Sequence, residues 1–261
     1  MVTFNSLYKR IIPKILISTN YKSGIPQVLT TKHYEIFRFI GDPESQALIF
    51  QSNGADELFL VNINLDTLSH GSFRKIVEKI NNRIFMPLSV GGGIFTLDSA
   101  ARYFDLGIEK IVLERIFEKP PGEVQKIINR FGGQSVVGSC SFWGGDAAHP
   151  KVAKGRNVLN QTHLVKRVKF MEDIGVGEIL LNDISRDGTR TGSNLAALNA
   201  VLEVTNLPVI DSCGFGKTSH FTQSFSAGSS AIAVGTYFAF VDQSFLQLKG
   251  QLATHSIRVR E

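Results

Sequence analysis

The sequence predicts a closed (β/α)8 barrel of the α/β class, a TIM barrel made of two similar half-barrels. Eight short runs rich in β-branched residues alternate with amphipathic segments, which is the pattern of parallel βα units. The 261 residues divide into about 33 for each of eight units, the usual size in such a barrel. Seven residues also recur at a constant offset of 121 positions, about the length of four units.

The predicted strands and helices follow one another along the chain in strict alternation. Strands are predicted at Ile11–Ile17, Glu57–Ile63, Phe85–Val90, Lys110–Leu113, Ser135–Cys140, Glu178–Asp183, Leu207–Asp211 and Ala231–Val234. The helices predicted between them include Ser72–Asn82, Leu97–Phe104, Gly122–Phe131, Gln161–Ile174 and Leu195–Val204. We expect one domain over residues 1–261, with half-barrels at roughly 8–132 and 133–250.

The composition excludes several classes of function. The 28 basic residues exceed the 23 acidic ones by 5, a mild surplus that suits an anionic small molecule. No clustered basic stripe indicates nucleic-acid binding. The longest uncharged apolar stretch, Ala231–Val241, is too short for the roughly 20 residues that cross a bilayer. With no signal-peptide core, we expect a cytoplasmic protein without a membrane span.

The cysteines and histidines do not predict a metal or another cofactor. Cys140 and Cys213 form neither a disulfide framework nor a CxxC pair, and we expect Cys213 to be a small buried filler. The six histidines lack HxH and HExxH spacings. We therefore expect surface roles for the histidines, His220 included.

Glycine-rich loops after the third, seventh and eighth predicted strands favour phosphate binding. Gly93 and its repeat mate Gly214 follow the third and seventh strands, and Gly235-Thr236 end the eighth. Glycine allows backbone N–H groups to approach an anion closely. Paired loops of this kind predict a ligand with a phosphate at each end, although barrels need glycine turns in any case.

Six motifs along the chain form a specific combination. They read KRIIP at 9–13, GADEL at 54–58, SVGGGI at 89–94, GEILL at 177–181, RDGT at 186–189 and GFGK at 214–217. From about Tyr8 to Phe240 the chain resembles the cyclase subunit of imidazole glycerol phosphate synthase. The resemblance implies a barrel that binds a ligand with two phosphates. It also implies a glutaminase partner, whose ammonia passes through the barrel core to the active site.

The resemblance also implies two catalytic aspartates, at the ends of the first and fifth strands, and this chain lacks both. Their positions hold Leu16 and Ser141. Leucine has no titratable proton, and each lost acid or base typically forfeits a factor of about 10²–10⁴ in rate. Asp146 on the following loop, or Asp187, could carry relocated proton chemistry.

Other positions match the family. The ring of four charged residues at the ammonia entrance corresponds to Arg10, Glu57, Lys110 and Glu178. The phosphate loops correspond at Gly93, Asp187, Gly188, Gly214, Gly235 and Thr236, whereas Glu114 replaces a small polar residue and would repel one phosphate. Trp143, with Lys151, Lys154 and Arg156, could form a flap over an anionic ligand or a plain solvated loop.

These observations favour one hypothesis and leave two alternatives open. The leading hypothesis is a barrel that docks a glutaminase and channels ammonia, supplying it for amidation of a nucleotide-linked sugar in polysaccharide biosynthesis. This role resembles that of barrel partners of sugar amidotransferases, and a phosphorylated ligand could bind its upper face. The first alternative is a working cyclase with relocated acid and base groups. The second is a non-catalytic scaffold or phosphate-ligand sensor.

Overall fold

The computed structural model describes residues 8–145, 159, 161–240 and 244–260. Its strands are β1 (Arg10–Thr19), β2 (Pro26–Lys32), β3 (Glu35–Gly41), β4 (Leu58–Asn62), β5 (Leu88–Gly91), β6 (Lys110–Leu113), β7 (Val136–Phe142), β8 (Glu178–Asp183), β9 (Val209–Ser212) and β10 (Ala231–Val234). Eight of these, all except β2 and β3, pair in parallel from β1 through β4 to β10. Parallel pairing of β10 with β1 closes the circle, which confirms the (β/α)8 barrel.

The helices surround this barrel and cover its outer face. They are α1 (Pro43–Ser52), α2 (His70–Asn81), α3 (Leu97–Phe104), α4 (Gly122–Phe131), α5 (Gln161–Ile174), α6 (Leu195–Leu202), α7 (Thr218–Ala227), α8 (Tyr237–Phe240) and α9 (Phe245–Thr254). Side-chain caps start several of them; Thr96 and Ser99 form a reciprocal capping box on α3. In the described part of the chain, no helix has the length and apolarity that a bilayer crossing requires.

The barrel strands lie close to their predicted positions, and the largest shift has a clear cause. The third barrel strand was expected to start at Phe85 but starts at Leu88. The Phe85 side chain is 94% exposed, and Pro87 has no N–H to donate to a ladder. The apolar run therefore begins before the strand, on the outside of the barrel.

The hairpin formed by β2 and β3 was not predicted from the sequence. Its two-residue turn is His33-Tyr34, and both residues are left-handed, with φ of 52° and 63°. Such a turn usually carries Asn-Gly or Asp-Gly, so the sequence offers no hairpin signal here. β2 pairs antiparallel with the second half of β1, from Leu16 to Thr19, and the hairpin thus extends from the barrel's upper end.

A separate apolar cluster fills the barrel lumen. Its members are the inward-facing residues Ile12, Phe59, Val112, Val137, Leu180, Ile210, Ala231 and Ala233. The larger core lies outside, between the strands and the helices. Inward and outward side chains alternate along every strand, so one strand supplies both cores.

Asp211 is a carboxyl group buried in the outer core. It lies on β9, and its Oδ2 accepts a 2.6 Å hydrogen bond from Ser224 Oγ on α7. Burial raises the pKa of Asp211 to about 6, from an ordinary value of 3.8. The folded state therefore favours the neutral acid, and this stabilisation is complete below about pH 4 and lost as the pH rises through about 6.

We predict that Asp211→Asn removes this pH dependence. Because a shift of about two pKa units corresponds to about 3 kcal/mol, the variant should gain about that much stability relative to wild type between pH 4 and pH 7. Urea unfolding of both proteins at the two pH values measures the change, with Asp66→Asn as an exposed-carboxylate control. An equal stability difference at both pH values would contradict the prediction.

Candidate functional site

Four charged side chains meet at the lower end of the barrel, where the strands begin. Arg10 Nη1 is 2.6 Å from Glu57 Oε1, and Arg10 Nη2 is 3.1 Å from Glu178 Oε1. Lys110 Nζ is 3.1 Å from the same Glu178 oxygen. The four residues that the sequence proposed as a ring are therefore brought together, with Arg10 bridging the two carboxylates.

The ion pairs of this ring favour the charged form of Arg10. Although burial alone would lower the pKa of Arg10, the carboxylates of Glu178 and Glu57 outweigh it and raise the pKa. The Oε2 atoms of Glu57 and Glu178 are buried and accept no hydrogen bond within the described residues. Two cations and two anions thus close the lower opening without net charge.

Above the ring and the apolar lumen lies a polar layer that the sequence analysis did not single out. Lys14 Nζ donates to Ser212 Oγ at 2.6 Å and to Asn182 Oδ1 at 3.4 Å. Asn182 Nδ2 donates in turn to Ser139 Oγ, and Ser212 Oγ donates to the Ala233 carbonyl. The strict alternation Arg10, Ile12, Lys14, Leu16 along β1 is the signal that could have placed Lys14 in the lumen.

Leu16 and Ser141 lie at the carboxyl ends of β1 and β7, at the upper mouth of the barrel. The Ser141 hydroxyl oxygen is 2.9 Å from the hydroxyl oxygen of Tyr34, and the two share a hydrogen bond. Burial is the main cause that raises the pKa of Tyr34 well above its ordinary value, and the nearby carboxylate of Glu114 adds to it. The phenol thus stays protonated at neutral pH beside Ser141.

Hydrogen bonds from the hairpin turn to the loop after β8 hold Tyr34 at the upper mouth. The Tyr34 N–H donates to Asp187 Oδ2 at 3.0 Å, and the His33 N–H donates to the Asp187 carbonyl at 3.1 Å. A side chain at Gly188 would come within 2.3 Å of the Thr31 carbonyl. Gly188, with φ of +70°, is therefore required for the hairpin to dock.

The candidate phosphate loops differ in the space that they leave. A side chain at Gly214 would come within 2.2 Å of the Gly192 carbonyl, and one at Gly93 would meet the side chains of His70 and Leu65. At Gly235, beside Thr236, the nearest atom to an added Cβ is the Lys14 carbonyl at 4.0 Å. Packing therefore explains why residues 214 and 93 are glycines, whereas an added side chain at Gly235 would meet no close neighbour.

The expectation that His220 lies on the surface was wrong. His220 is buried, and its Nδ1 accepts a 3.2 Å hydrogen bond from the Gly216 N–H, which fixes the loop after β9. Burial, aided by Lys217 and Arg186, lowers the pKa of His220 and favours this neutral acceptor. Cys213 is buried as expected, and burial raises the pKa of its thiol to about 12. The thiol is therefore not a ready nucleophile.

Some expected site residues lie outside the described part of the chain. These are Asp146, Lys151, Lys154 and Arg156. Trp143 is described, and its ring lies 5.7 Å from that of His33, centroid to centroid. The loop after β7 and the hairpin thus meet at the barrel mouth.

The architecture defines a class: a (β/α)8 barrel with polar groups gathered at the carboxyl ends of its strands, where barrels of this kind carry their sites. The family model for histidine biosynthesis proteins matches residues 19–243. This chain belongs to the HisF-like cyclase family of histidine biosynthesis proteins.

Individual relatives match the chain over nearly its whole length. The imidazole glycerol phosphate synthase subunit HisF of Pyrobaculum aerophilum is 31% identical, over 96% of this chain and 98% of its own. Two relatives carry the designation subunit hisF2. That of Prochlorococcus marinus is 31% identical over 97% and 98% of the two chains, and that of Pseudomonas aeruginosa is 32% identical over 89% and 91%.

We predict that Arg10→Met lowers stability by about 3 kcal/mol, because it leaves Glu57 buried without its cation. Lys110→Met should cost less than half as much, since Glu178 keeps Arg10. Urea denaturation compares the variants, and adding Glu57→Gln to Arg10→Met should restore part of the loss. Equal losses for the two single variants would show that Arg10 does not bridge the ring.

Proposed function

We propose that this barrel docks a glutaminase at its lower end, conducts ammonia through the lumen and releases it at the upper mouth. The ammonia serves a separate enzyme that amidates a nucleotide-linked sugar in polysaccharide biosynthesis. The barrel itself does not perform the ring closure of the cyclase reaction. This assignment combines the family with the two substitutions at the mouth.

The observation that carries the proposal is the chemistry of the upper mouth. Where the family resemblance implies two catalytic aspartates, Leu16 presents a hydrocarbon and Ser141 presents a hydroxyl bonded to Tyr34. The raised pKa of Tyr34 makes it a poor base at neutral pH. Ring closure needs protons removed and returned, and neither position supplies a group that titrates in that range.

The lower end supports a partner and a conduit. The ring of Arg10, Glu57, Lys110 and Glu178 closes an opening that leads first to the apolar side chains of the lumen. Around that end the side chains of Tyr8 and Phe85 are exposed to solvent, Phe85 almost completely. Exposed aromatic residues of this kind are typical anchors of protein interfaces.

A second candidate is a cyclase that uses Asp187 in place of the missing aspartates. Its support is the position of Asp187 on the upper rim, within hydrogen-bond distance of Tyr34, and the HisF designation of several relatives. Against it, the Asp187 carboxylate accepts the Tyr34 N–H and is buried under the hairpin. The hairpin would have to open before this carboxylate could reach a substrate.

A cyclase assay with ammonium salt separates the two candidates. Supplied with the nucleotide substrate of imidazole glycerol phosphate synthase, the barrel should turn over at least about 10⁴-fold more slowly than a HisF relative, because two acid or base groups are missing. Turnover within tenfold of that relative, abolished by Asp187→Asn, would establish the second candidate. Leu16→Asp with Ser141→Asp tests whether the mouth still accepts the substrate.

The docking prediction uses two exposed aromatic residues at opposite ends of the barrel. Phe85→Ala should weaken binding of a cognate glutaminase subunit by about tenfold, the effect of losing an interface aromatic anchor. Tyr21→Ala is the control, since Tyr21 is also largely exposed, at 80%, but follows the upper end of β1. Binding of the labelled subunit is measured by fluorescence anisotropy. Equal affinity of the Phe85→Ala variant and wild type would contradict docking at this face.

A further inference from the structure

Among the described residues, Lys14 is a charged lumen residue that the proposed function does not use. Its ammonium group reaches from β1 across the barrel to Asn182 on β8 and Ser212 on β9. Both acceptors are neutral and buried, at 5% and 2% exposure. Lys14 and Leu16 remain part-exposed although their side chains face inward, so solvent reaches this level through the upper mouth.

Within the described residues, no carboxylate lies within ion-pair distance of Lys14 Nζ. The acidic groups nearest the mouth are committed elsewhere: Asp187 accepts from Tyr34, and Asp183 accepts from Ser185 and Asn194. The charges of Glu114 and Asp187 help to raise the pKa of Tyr34. Cys213, which also borders Lys14, stays a neutral thiol because burial raises its pKa.

A part-buried cation with neutral partners is incompletely compensated. An ammonium group has three N–H donors; Ser212 takes one at 2.6 Å, and the contact to Asn182, at 3.4 Å, is long. Within the described residues, a third N–H of Lys14 therefore has no hydrogen-bond acceptor. An oxyanion that reaches it would gain a charge-assisted hydrogen bond, among the strongest that proteins form.

We propose that the upper lumen is a binding site for an oxyanion group, with Lys14 as its cation and Ser212 and Asn182 holding the ammonium in place. The ligand is one that carries a phosphate ester or a carboxylate small enough to enter between Leu16 and Tyr34. The site lies below the glycine loops, on the barrel axis. Leu16 favours it, because an acidic side chain there would oppose an entering anion.

This site does not depend on the proposed function. Ammonia delivery would survive without an anion at Lys14, and an anion at Lys14 is compatible with a working cyclase. The test therefore uses the barrel alone, without glutaminase or ammonia. Its failure would leave the docking and cyclase experiments unaffected.

The experiment titrates inorganic phosphate and, separately, acetate into the barrel by isothermal titration calorimetry. Wild type should bind at least one of them saturably. Lys14→Met should weaken that binding by about tenfold or more, the effect of one charged hydrogen bond. Lys14→Arg keeps the cation and should stay within about threefold of wild type. Lys22→Met, at an exposed lysine, should change nothing.

Each outcome decides the proposal. Loss in Lys14→Met with phosphate alone identifies a phosphate-ester site, and loss with acetate alone identifies a carboxylate site. Unchanged binding in Lys14→Met would place the anion elsewhere, such as the glycine loops, and overturn the proposal. Absence of saturable binding to wild type would also overturn it. Melting temperatures check folding, and Lys14→Gln replaces the methionine variant if that one is unfolded.

Discussion

The structure depends on the two-residue alternation of β1 in a closed barrel. Arg10, Ile12, Lys14 and Leu16 all face the lumen, and each belongs to a different layer along its axis. A closed barrel has no open sheet edge, so each inward side chain has to pack against or hydrogen-bond to side chains of other strands inside the lumen. Arg10 meets two carboxylates, Ile12 meets apolar residues, and Lys14 meets an amide and a hydroxyl.

The same strand explains why the upper mouth differs from the lower one. The first part of β1 pairs with β10, from Arg10 to Pro13, and the last part pairs with β2, from Leu16 to Thr19. The long strand therefore closes the barrel at its base and carries the hairpin at its top. Through this hairpin Tyr34 reaches Ser141 and Asp187, two residues more than a hundred positions away in sequence.

Sequence periodicity predicted the barrel well because burial dictates it. The bounds of α3, α4 and α5 agree with the expected ones, since each has a clear apolar face or sharp stop signals. The β2–β3 hairpin was not predicted, because its turn, His33-Tyr34, places two bulky residues in the left-handed region. Tertiary contacts with Asp187 and Trp143 stabilise that turn, and local sequence cannot show them.

The candidate site likewise contains residues that the sequence could predict and residues that depend on tertiary contacts. The ring of four charges could be proposed from sequence because the family resemblance implies it, and each of its residues immediately precedes or begins an apolar strand. Lys14 was missed although its position in the alternation was available. The role of Tyr34 could not be found, because it depends on a strand pairing with no local signal. Packing alone already requires Gly188 and Gly214, and their part in phosphate binding stays a prediction.

The layered lumen also restricts what could cross it. Between the ring and Lys14 the path is lined by side chains such as Ile12, Phe59 and Leu180. An ammonium ion would lose its hydration there and find no acceptor, whereas neutral ammonia loses far less on leaving water. Beyond the apolar layer it would also meet the positive charge of Lys14. For the proposed conduit, this order of layers would favour the neutral amine over its conjugate acid, with Lys14 facing the opposite end.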